Sequence, residues 1–169
     1  MTKEEKYAAL LPQVKALCEG EEDMIAKMAN VSALLHHEFG FWWTGFYRVM
    51  SSEFGTRSSE FLDATANSAL RSPNSELILG PFQGPIACVH IAYGRGVCGT
   101  AWKERRTVVV PDVEEFPGHI ACSSESRSEI VVPVFKGDEI IAVLDIDSRE
   151  LATFDDTDAR YLVQVVAFI

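Results

Sequence analysis

The sequence contains no long run of apolar residues and few basic residues. None of its apolar runs approaches the roughly 18 residues that span a bilayer. Its first segment, MTKEEKYAALLPQV, lacks the apolar core of a signal peptide. Fifteen Lys and Arg stand against 25 Asp and Glu, a formal net charge of −10. This balance argues against nucleic acid or an anionic membrane as partner, and we expect a cytoplasmic protein in a reducing compartment.

Cysteines are also few, and none of the four stands in a C-x-x-C pair. Cys88, Cys98 and Cys122 nevertheless fall close together, in the segments GPIACVH, RGVCGTA and HIACSSE. A thiol among small residues and glycines can be reached by a substrate or by another thiol. In a reducing compartment such grouped cysteines are more often catalytic or metal-binding than structural disulfides. Cys18 lies in a helical stretch and is interpreted as ordinary packing.

The order of predicted elements indicates one α+β domain over residues 1–169, with a central antiparallel sheet flanked by helices. Apolar residues at steps of three and four predict a helix that ends at Gly40. Further helices are expected within 1–20, at 97–105 and at 155–169, with Thr153 or Asp155 as N-cap of the last. Strands are predicted at 41–49, 76–79, 88–91, 107–110, 129–135 and 139–147, the last two forming a hairpin around Lys136–Gly137–Asp138.

Two segments interrupt this pattern. Residues 50–75 are rich in Ser, Asn, Thr and Gly and have weak periodicity, so they predict a long, mobile surface loop. The stretch GPFQGP, residues 80–85, is expected to end the strand that begins at Glu76.

Several segments together resemble the free methionine-(R)-sulfoxide reductase family, whose members are built on a GAF domain. They are LILGPFQGPIAC, YGRGVCGTA, VPDVEEFPGHIACSSESRSEIVVPV and AVLDIDS, and the resemblance runs from about Val31 to the C-terminus. It implies a GAF-like fold and reduction of free, not peptide-bound, methionine-R-sulfoxide, with thioredoxin as reductant and no cofactor or metal. A homodimer stays an open alternative. The chain departs from the family in the length of residues 50–75 and in Ser123, where Asp is common.

The resemblance also assigns roles to the thiols. Cys122 matches the cysteine of G-H-I-A-C and is the expected nucleophile. Thiol reduction of a sulfoxide then needs a second thiol that closes a disulfide with the sulfenic acid. Either Cys88 or Cys98 could resolve, and Cys98 as first attacker stays open. A competing interpretation is a zinc site that adds His119 to the three cysteines.

Three acids flank the predicted hairpin. Glu129 opens it, and alternation places Asp145 and Asp147 on one face of the second strand. Neighbouring acids repel unless a cation meets them. The resemblance implies that these three residues hold the ammonium of a free amino acid, and that one of them, kept protonated, donates a proton to the sulfoxide oxygen. A solvated strand end or a magnesium-binding D-x-D pair are the alternatives.

Aromatic residues fill the first predicted strand. Trp43 and Tyr47 are four residues apart and share a face, and they match family positions that enclose the substrate methyl group. Plain packing is the alternative. Trp42 and Phe46 are expected to point to the other face, into the core.

Two further function classes compete with a reductase. A GAF domain can be a non-catalytic sensor that binds a small ligand, but a sensor has no need for several accessible thiols. Residues 94–99 also spell G-x-G-x-x-G. A dinucleotide site would need a parallel βαβ context that the antiparallel pattern denies. We expect these glycines to bend the chain around Cys98 instead.

Overall fold

The computed structural model describes residues 1–51, 75–119 and 124–169. These residues form four α-helices and a six-stranded sheet. The helices are α1 (Lys3–Cys18), α2 (Met24–Phe39), α3 (Gly96–Glu104) and α4 (Asp156–Val166). The strands are β1 (Trp43–Ser51), β2 (Ser75–Gln83), β3 (His90–Ala92), β4 (Val108–Val110), β5 (Ser128–Lys136) and β6 (Glu139–Ser148). Within these ranges no helix has the length and apolarity to cross a membrane.

Local chemistry explains where the helices begin and end. The side chains of Thr2, Asp23 and Asp155 accept hydrogen bonds from the first N–H groups of α1, α2 and α4. Asp155 is thus the N-cap of α4, one of the two predicted candidates. Gly40 ends α2 in the left-handed conformation, at a φ of 68°, as its position after the periodic stretch predicts.

The sheet is antiparallel throughout, in the order β3-β2-β1-β6-β5-β4. β5 and β6 form the predicted hairpin, since Lys136 pairs with Glu139 across a two-residue turn. Gly137 adopts a φ of 61° there, which a two-residue hairpin turn requires. The prediction of an α+β domain with an antiparallel sheet is confirmed.

The two faces of the sheet carry different cores. Helices α1, α2 and α4 cover one face and bury the largest apolar cluster against it, together with Ile130 and Val132 of β5 and Leu144 of β6. Helix α3 packs on the other face, where Val131 and Val143 belong to a second cluster. Glu129 and Asp145 lie two residues from Val131 and Val143 along their strands. Because side chains alternate along a strand, these two acids also face α3.

The stretch 80–85 does not end β2 where predicted, because the strand runs on to Gln83. Pro81 has no Cα partner in either neighbouring strand. β3 pairs only with residues 76–78, and the β1–β2 register shifts between Gly45 and Tyr47. The missing N–H of Pro81 therefore removes no ladder bond. Residues 52–74, most of the predicted mobile loop, lie outside the described residues.

Candidate active site

Strand register brings three acids and an aromatic residue to one side of the sheet. Glu129 of β5 pairs with Asp147 of β6, and Asp147 pairs in turn with Trp43 of β1. Asp145 lies two residues earlier on β6, so it points to the same side as Asp147. The prediction that Asp145 and Asp147 share a face is confirmed.

The aromatic rings form a continuous wall beside these acids. The ring centroids of Trp43 and Tyr47 are 5.9 Å apart, and those of Trp43 and Phe82 are 5.4 Å apart, with nearly parallel planes. Gly45 lies between the two β1 aromatics. A Cβ at Gly45 would lie 2.5 Å from Cη2 of Trp43 and 2.4 Å from Cβ of Phe82. The absence of a side chain at residue 45 therefore lets the indole lie flat on the strand.

Helix α3 carries Cys98 to the acids. The Sγ atom of Cys98 and carboxylate oxygens of Glu129 and Asp145 all lie within 4.8 Å of one another. A thiol in the first turn of a helix is ordinarily more acidic than a free one. Here burial, followed by the negative charges of Asp145 and Glu129, raises the pKa of Cys98 well above its usual value. Cys98 is therefore held as a neutral thiol.

The three acids also hold protons more tightly than free carboxyl groups. Glu129 and Asp145 are 6% and 7% exposed, and burial followed by the neighbouring acids raises both pKa values well above their usual range. Burial raises the pKa of Asp147 to about 6, although the hydroxyl of Ser126 donates a hydrogen bond to it. The alternative of a solvated strand end is wrong for Glu129 and Asp145.

One cavity contains six of the eight predicted site residues: Trp43, Tyr47, Cys98, Glu129, Asp145 and Asp147. Arg95 and His119 are the basic residues among its described lining. His119 Nε2 is 3.7 Å from Glu129 Oε2, and burial lowers the pKa of this histidine. The Oδ1 atom of Asp145 is buried and has no hydrogen-bond partner within the described part of the chain. The cavity is thus rich in acids and poor in compensating cations.

The remaining two predicted residues are the outer cysteines. Cys88 is half-buried, and its main-chain carbonyl accepts a hydrogen bond from the hydroxyl of Tyr47 at 3.0 Å. Cys88 takes part in a disulfide, whereas Cys98 is a free thiol. A disulfide sulfur is no thiolate ligand, so the structure does not support the zinc alternative built on three cysteines and His119. Cys122 and Ser123 lie outside the described residues.

Trp42 corrects the sequence interpretation, since it lines the cavity and packs, partly buried, against the second cluster, to which Trp43 also belongs. It precedes β1, so strand alternation does not fix its direction. The guanidinium of Arg149 lies 3.4 Å from the centre of its ring and 2.6 Å from a carboxylate oxygen of Glu125. Phe46 is fully buried in the larger core, as predicted. No short-range pattern in the sequence pointed to the Trp42–Arg149 contact.

The glycines of residues 94–99 bend the chain between β3 and α3. Gly94 and Gly96 have φ values of 74° and 60°, in the left-handed region. A Cβ at Gly99 would lie 2.6 Å from the carbonyl oxygen of Ala92. These residues shape the turn that presents Cys98. The strands are antiparallel throughout the described sheet, so the βαβ context of a dinucleotide site is not found there.

The fold and the site agree with what comparison shows. A family model of the GAF domain matches residues 52–169. GAF domain-containing protein A of Dictyostelium discoideum is 49% identical over 99% of this chain and 92% of its own length. Free methionine-R-sulfoxide reductase of Escherichia coli is 42% identical over 99% of this chain and 88% of its own. The X-ray structure of free methionine-R-sulfoxide reductase from Neisseria meningitidis, in complex with its substrate, is 45% identical, has a TM-score of 0.82 and covers 99% of this chain and 88% of its own.

These likenesses and the antiparallel sheet with its enclosed acidic cavity define a GAF-domain protein. Within that class, the chain belongs to the free methionine-(R)-sulfoxide reductase family.

Proposed function

We propose that this protein reduces free methionine-(R)-sulfoxide to methionine. The observation that carries the proposal is the cavity itself, in which Glu129, Asp145 and Asp147 face the wall of Trp43 and Tyr47. Buried acids without enough cations are costly unless a ligand supplies the charge. The names of the Escherichia coli and Neisseria meningitidis relatives support the same substrate.

The two ends of the substrate fit the two sides of the cavity. The ammonium of a free amino acid meets the acids, with Asp147, whose pKa is about 6, as the carboxylate ionised at neutral pH. The polarizable methyl–sulfur end meets the rings of Trp43 and Tyr47. An N-acylated substrate lacks the ammonium and leaves the buried acids unpaired, which explains selectivity for the free amino acid.

Glu129 is the proposed proton donor. Burial and the neighbouring acids raise the pKa of Glu129, which keeps its carboxyl protonated at neutral pH. One of its carboxyl oxygens lies within 4.8 Å of an oxygen of Asp145 and of the Cys98 sulfur. Proton donation to the sulfoxide oxygen makes the substrate sulfur more electrophilic. The Cys122 thiolate attacks that sulfur and forms a sulfur–sulfur bond. The substrate oxygen, which carries the donated proton, then transfers to the Cys122 sulfur, while the sulfur–oxygen bond of the substrate and the new sulfur–sulfur bond both break. Cys122 is left as a sulfenic acid. Methionine leaves, so the cysteine is oxidised by two electrons and the sulfoxide is reduced by two.

We assign resolution to Cys88 instead of Cys98. The Cys88 thiol attacks the sulfenic sulfur, a disulfide forms and water leaves. Two observations support this choice: Cys88 is already a disulfide partner, and Cys98 is buried with a raised pKa among acids. The same raised pKa argues against Cys98 as first attacker, because the thiolate is the nucleophile. Thioredoxin, in the cytoplasm, reopens the disulfide by thiol exchange.

The test is turnover of each sulfoxide epimer, free and N-acetylated, with thioredoxin as reductant. We expect methionine from the free R epimer and much less product from the other three compounds. Equal rates with the N-acetylated R epimer would contradict the role given to the acids.

A second measurement separates an enzyme from a sensor. The reduced protein is mixed with free sulfoxide without reductant, and free thiols are titrated. An enzyme loses about two thiols per chain, one to oxidation and one to resolution. An unchanged thiol count would favour the non-catalytic sensor. The proposed chemistry needs residues of one chain only, so sedimentation can decide independently between monomer and homodimer.

A further inference from the structure

Two side chains of the aromatic wall also donate hydrogen bonds to main-chain carbonyls, and the proposed reaction does not use these contacts. The indole Nε1 of Trp43 donates a hydrogen bond to the carbonyl of Pro85 at 3.0 Å. The hydroxyl of Tyr47 donates one to the carbonyl of Cys88, also at 3.0 Å. Two side chains of the central strand β1 thus hold the main chain of the segment that carries Cys88.

This segment, residues 84–88, lies against the sheet at both ends. Gly84 has a φ of 120°, and a Cβ there would lie 2.8 Å from the carbonyl oxygen of Trp42. Just beyond Cys88, the N–H of Leu79 donates to the carbonyl of Val89 at 2.9 Å. Between these two points, Trp43 and Tyr47 donate hydrogen bonds to the main-chain carbonyls of Pro85 and Cys88.

The hydrogen bond from Tyr47 can hold the Cys88 main chain in one position. Tyr47 is 1% exposed, and its ring stacks on that of Trp43, with the ring centroids 5.9 Å apart. Burial and the nearby Asp145 raise the pKa of Tyr47, so its hydroxyl stays a hydrogen-bond donor. A rigid donor on the sheet therefore sets the position of the Cys88 backbone, and the backbone limits where the Cys88 sulfur can reach.

We propose that Tyr47 is a positioning residue for the resolving thiol, because its hydroxyl holds the Cys88 main chain where the thiol can attack the sulfenic acid on Cys122. The inference rests on the proposed function. In the step that it affects, the Cys88 sulfur bonds to the Cys122 sulfur, and the sulfenic hydroxyl leaves as water with the thiol proton. Reactions between held groups depend steeply on such placement.

The test is Tyr47→Phe, which keeps the ring and removes only the hydroxyl. In single turnovers without reductant, methionine formation reports the first step, and loss of free thiols reports disulfide closure. We expect the ratio of the closure rate to the methionine rate to fall about five- to tenfold, as for the loss of one hydrogen bond. Sulfenic acid, trapped by a dimedone reagent, accumulates in the variant.

The matched control is Tyr161→Phe. Its hydroxyl donates a hydrogen bond to the exposed Glu4 at 3.4 Å, on the helical face of the sheet. We expect an unchanged ratio there. Trp43→Phe removes the bond to Pro85 and should lower the ratio in the same direction, so the inference stays testable if Tyr47→Phe does not fold.

The outcomes separate this inference from the proposed function. If the unaltered protein forms no methionine, the proposed function fails and the inference fails with it. If methionine forms but Tyr47→Phe keeps the ratio of the unaltered protein, only the role given to Tyr47 is wrong. Equal slowing of both steps would also overturn it, since it would indicate a defect in substrate binding.

Discussion

Glu129 and Asp147 lie directly opposite each other across the β5–β6 ladder. Two carboxyl groups in this arrangement cannot both ionise without destabilising the sheet, and burial adds to the cost of each charge. The second cluster of the core would accept an apolar side chain here, as it does at Val131 and Val143. The acids are therefore best explained by a ligand that brings positive charge.

Glu129→Gln should consequently stabilise the fold and lower the rate of methionine formation. The amide can donate a hydrogen bond, as a protonated carboxyl can, but carries no charge at any pH. We expect the free energy of unfolding to rise by about 1 kcal/mol at pH 8, or roughly 2–4 °C in Tm. Methionine formation should fall at least tenfold, since the proposed proton donor is lost. Thermal unfolding and a methionine assay measure the two effects.

Glu139→Gln is the control for this trade-off. Glu139 is an exposed residue at the start of β6. Its replacement should change stability by less than about 0.5 kcal/mol and leave turnover intact. A lower Tm in Glu129→Gln than in the unaltered protein would contradict the idea that Glu129 serves catalysis at a cost in stability.

Asp147→Asn should change how stability depends on pH. The pKa of Asp147 is raised from 3.8 to about 6 by burial. A carboxyl with a raised pKa contributes its full stability below about pH 4, and that contribution is lost as the pH rises through 6. The variant lacks this loss, so its stability relative to the unaltered protein should rise by up to about 3 kcal/mol between pH 4 and 7. Urea unfolding across this range measures it, and a difference that falls or stays flat would contradict it.

The sequence predicts well whatever local periodicity determines. Two apolar runs around the Lys136–Gly137–Asp138 turn were sufficient to predict the hairpin, and alternation along 139–147 predicted the common face of Asp145 and Asp147. Asp155, at a helix start, and Gly40, at a helix end, needed no long-range information. These features depend on contacts within a few residues, which a single sequence shows directly.

Features that depend on distant partners were missed or wrong. Strand alternation assigned Trp42 to the core face, opposite Trp43, and nothing nearby in the sequence reveals Arg149, which lies over its ring in the fold. Residues 80–85 were expected to end β2, but the effect of Pro81 depends on how far the neighbouring strand extends. The position of Cys98 among the acids follows from the packing of α3 on β5 and β6 and not from residues 94–99 alone.

Replacing Cys122 and replacing Cys98 should have different effects on turnover. Cys122→Ser should abolish turnover while substrate binding persists, because the nucleophile is gone and the cavity acids remain. Cys98→Ser should lower turnover but keep it measurable, since a buried thiol with a raised pKa is not the proposed attacker. Methionine assays and calorimetric binding give the two readouts. Full activity in Cys122→Ser would refute the assignment of the nucleophile.

A polar cluster far from the cavity should contribute to the free energy of unfolding. Lys3 Nζ lies 2.5 Å from Asp158 Oδ2, and Asp158, fully buried, also accepts a hydrogen bond from Tyr7 at 2.8 Å. Lys3→Met leaves this buried carboxylate without its cation. Lys3 is one third exposed, so we expect a loss of about 2 kcal/mol, below the usual cost for a fully buried pair. Urea unfolding measures it.

The matching exposed pair provides the control. Glu4 lies 2.9 Å from Arg160 between the same two helices, with both side chains about 60% exposed. Glu4→Gln should cost less than about 0.5 kcal/mol. Equal losses in Glu4→Gln and Lys3→Met would show that burial of Asp158 does not set the cost.

Replacing residues 52–74 by a short turn tests whether this segment contributes to the active site. Ser51 and Ser75 are direct partners in the antiparallel ladder, so a two-residue Asn-Gly turn can join them without changing the register. Residues on β1 and β2 near this end are remote along the strands from Trp43 and Phe82 of the aromatic wall. We expect the shortened chain to keep its methionine-forming activity within about threefold, with a similar or higher Tm because a shorter loop costs less conformational entropy to close. A much larger loss of turnover, with the fold retained by circular dichroism, would show that residues 52–74 contribute to the active site.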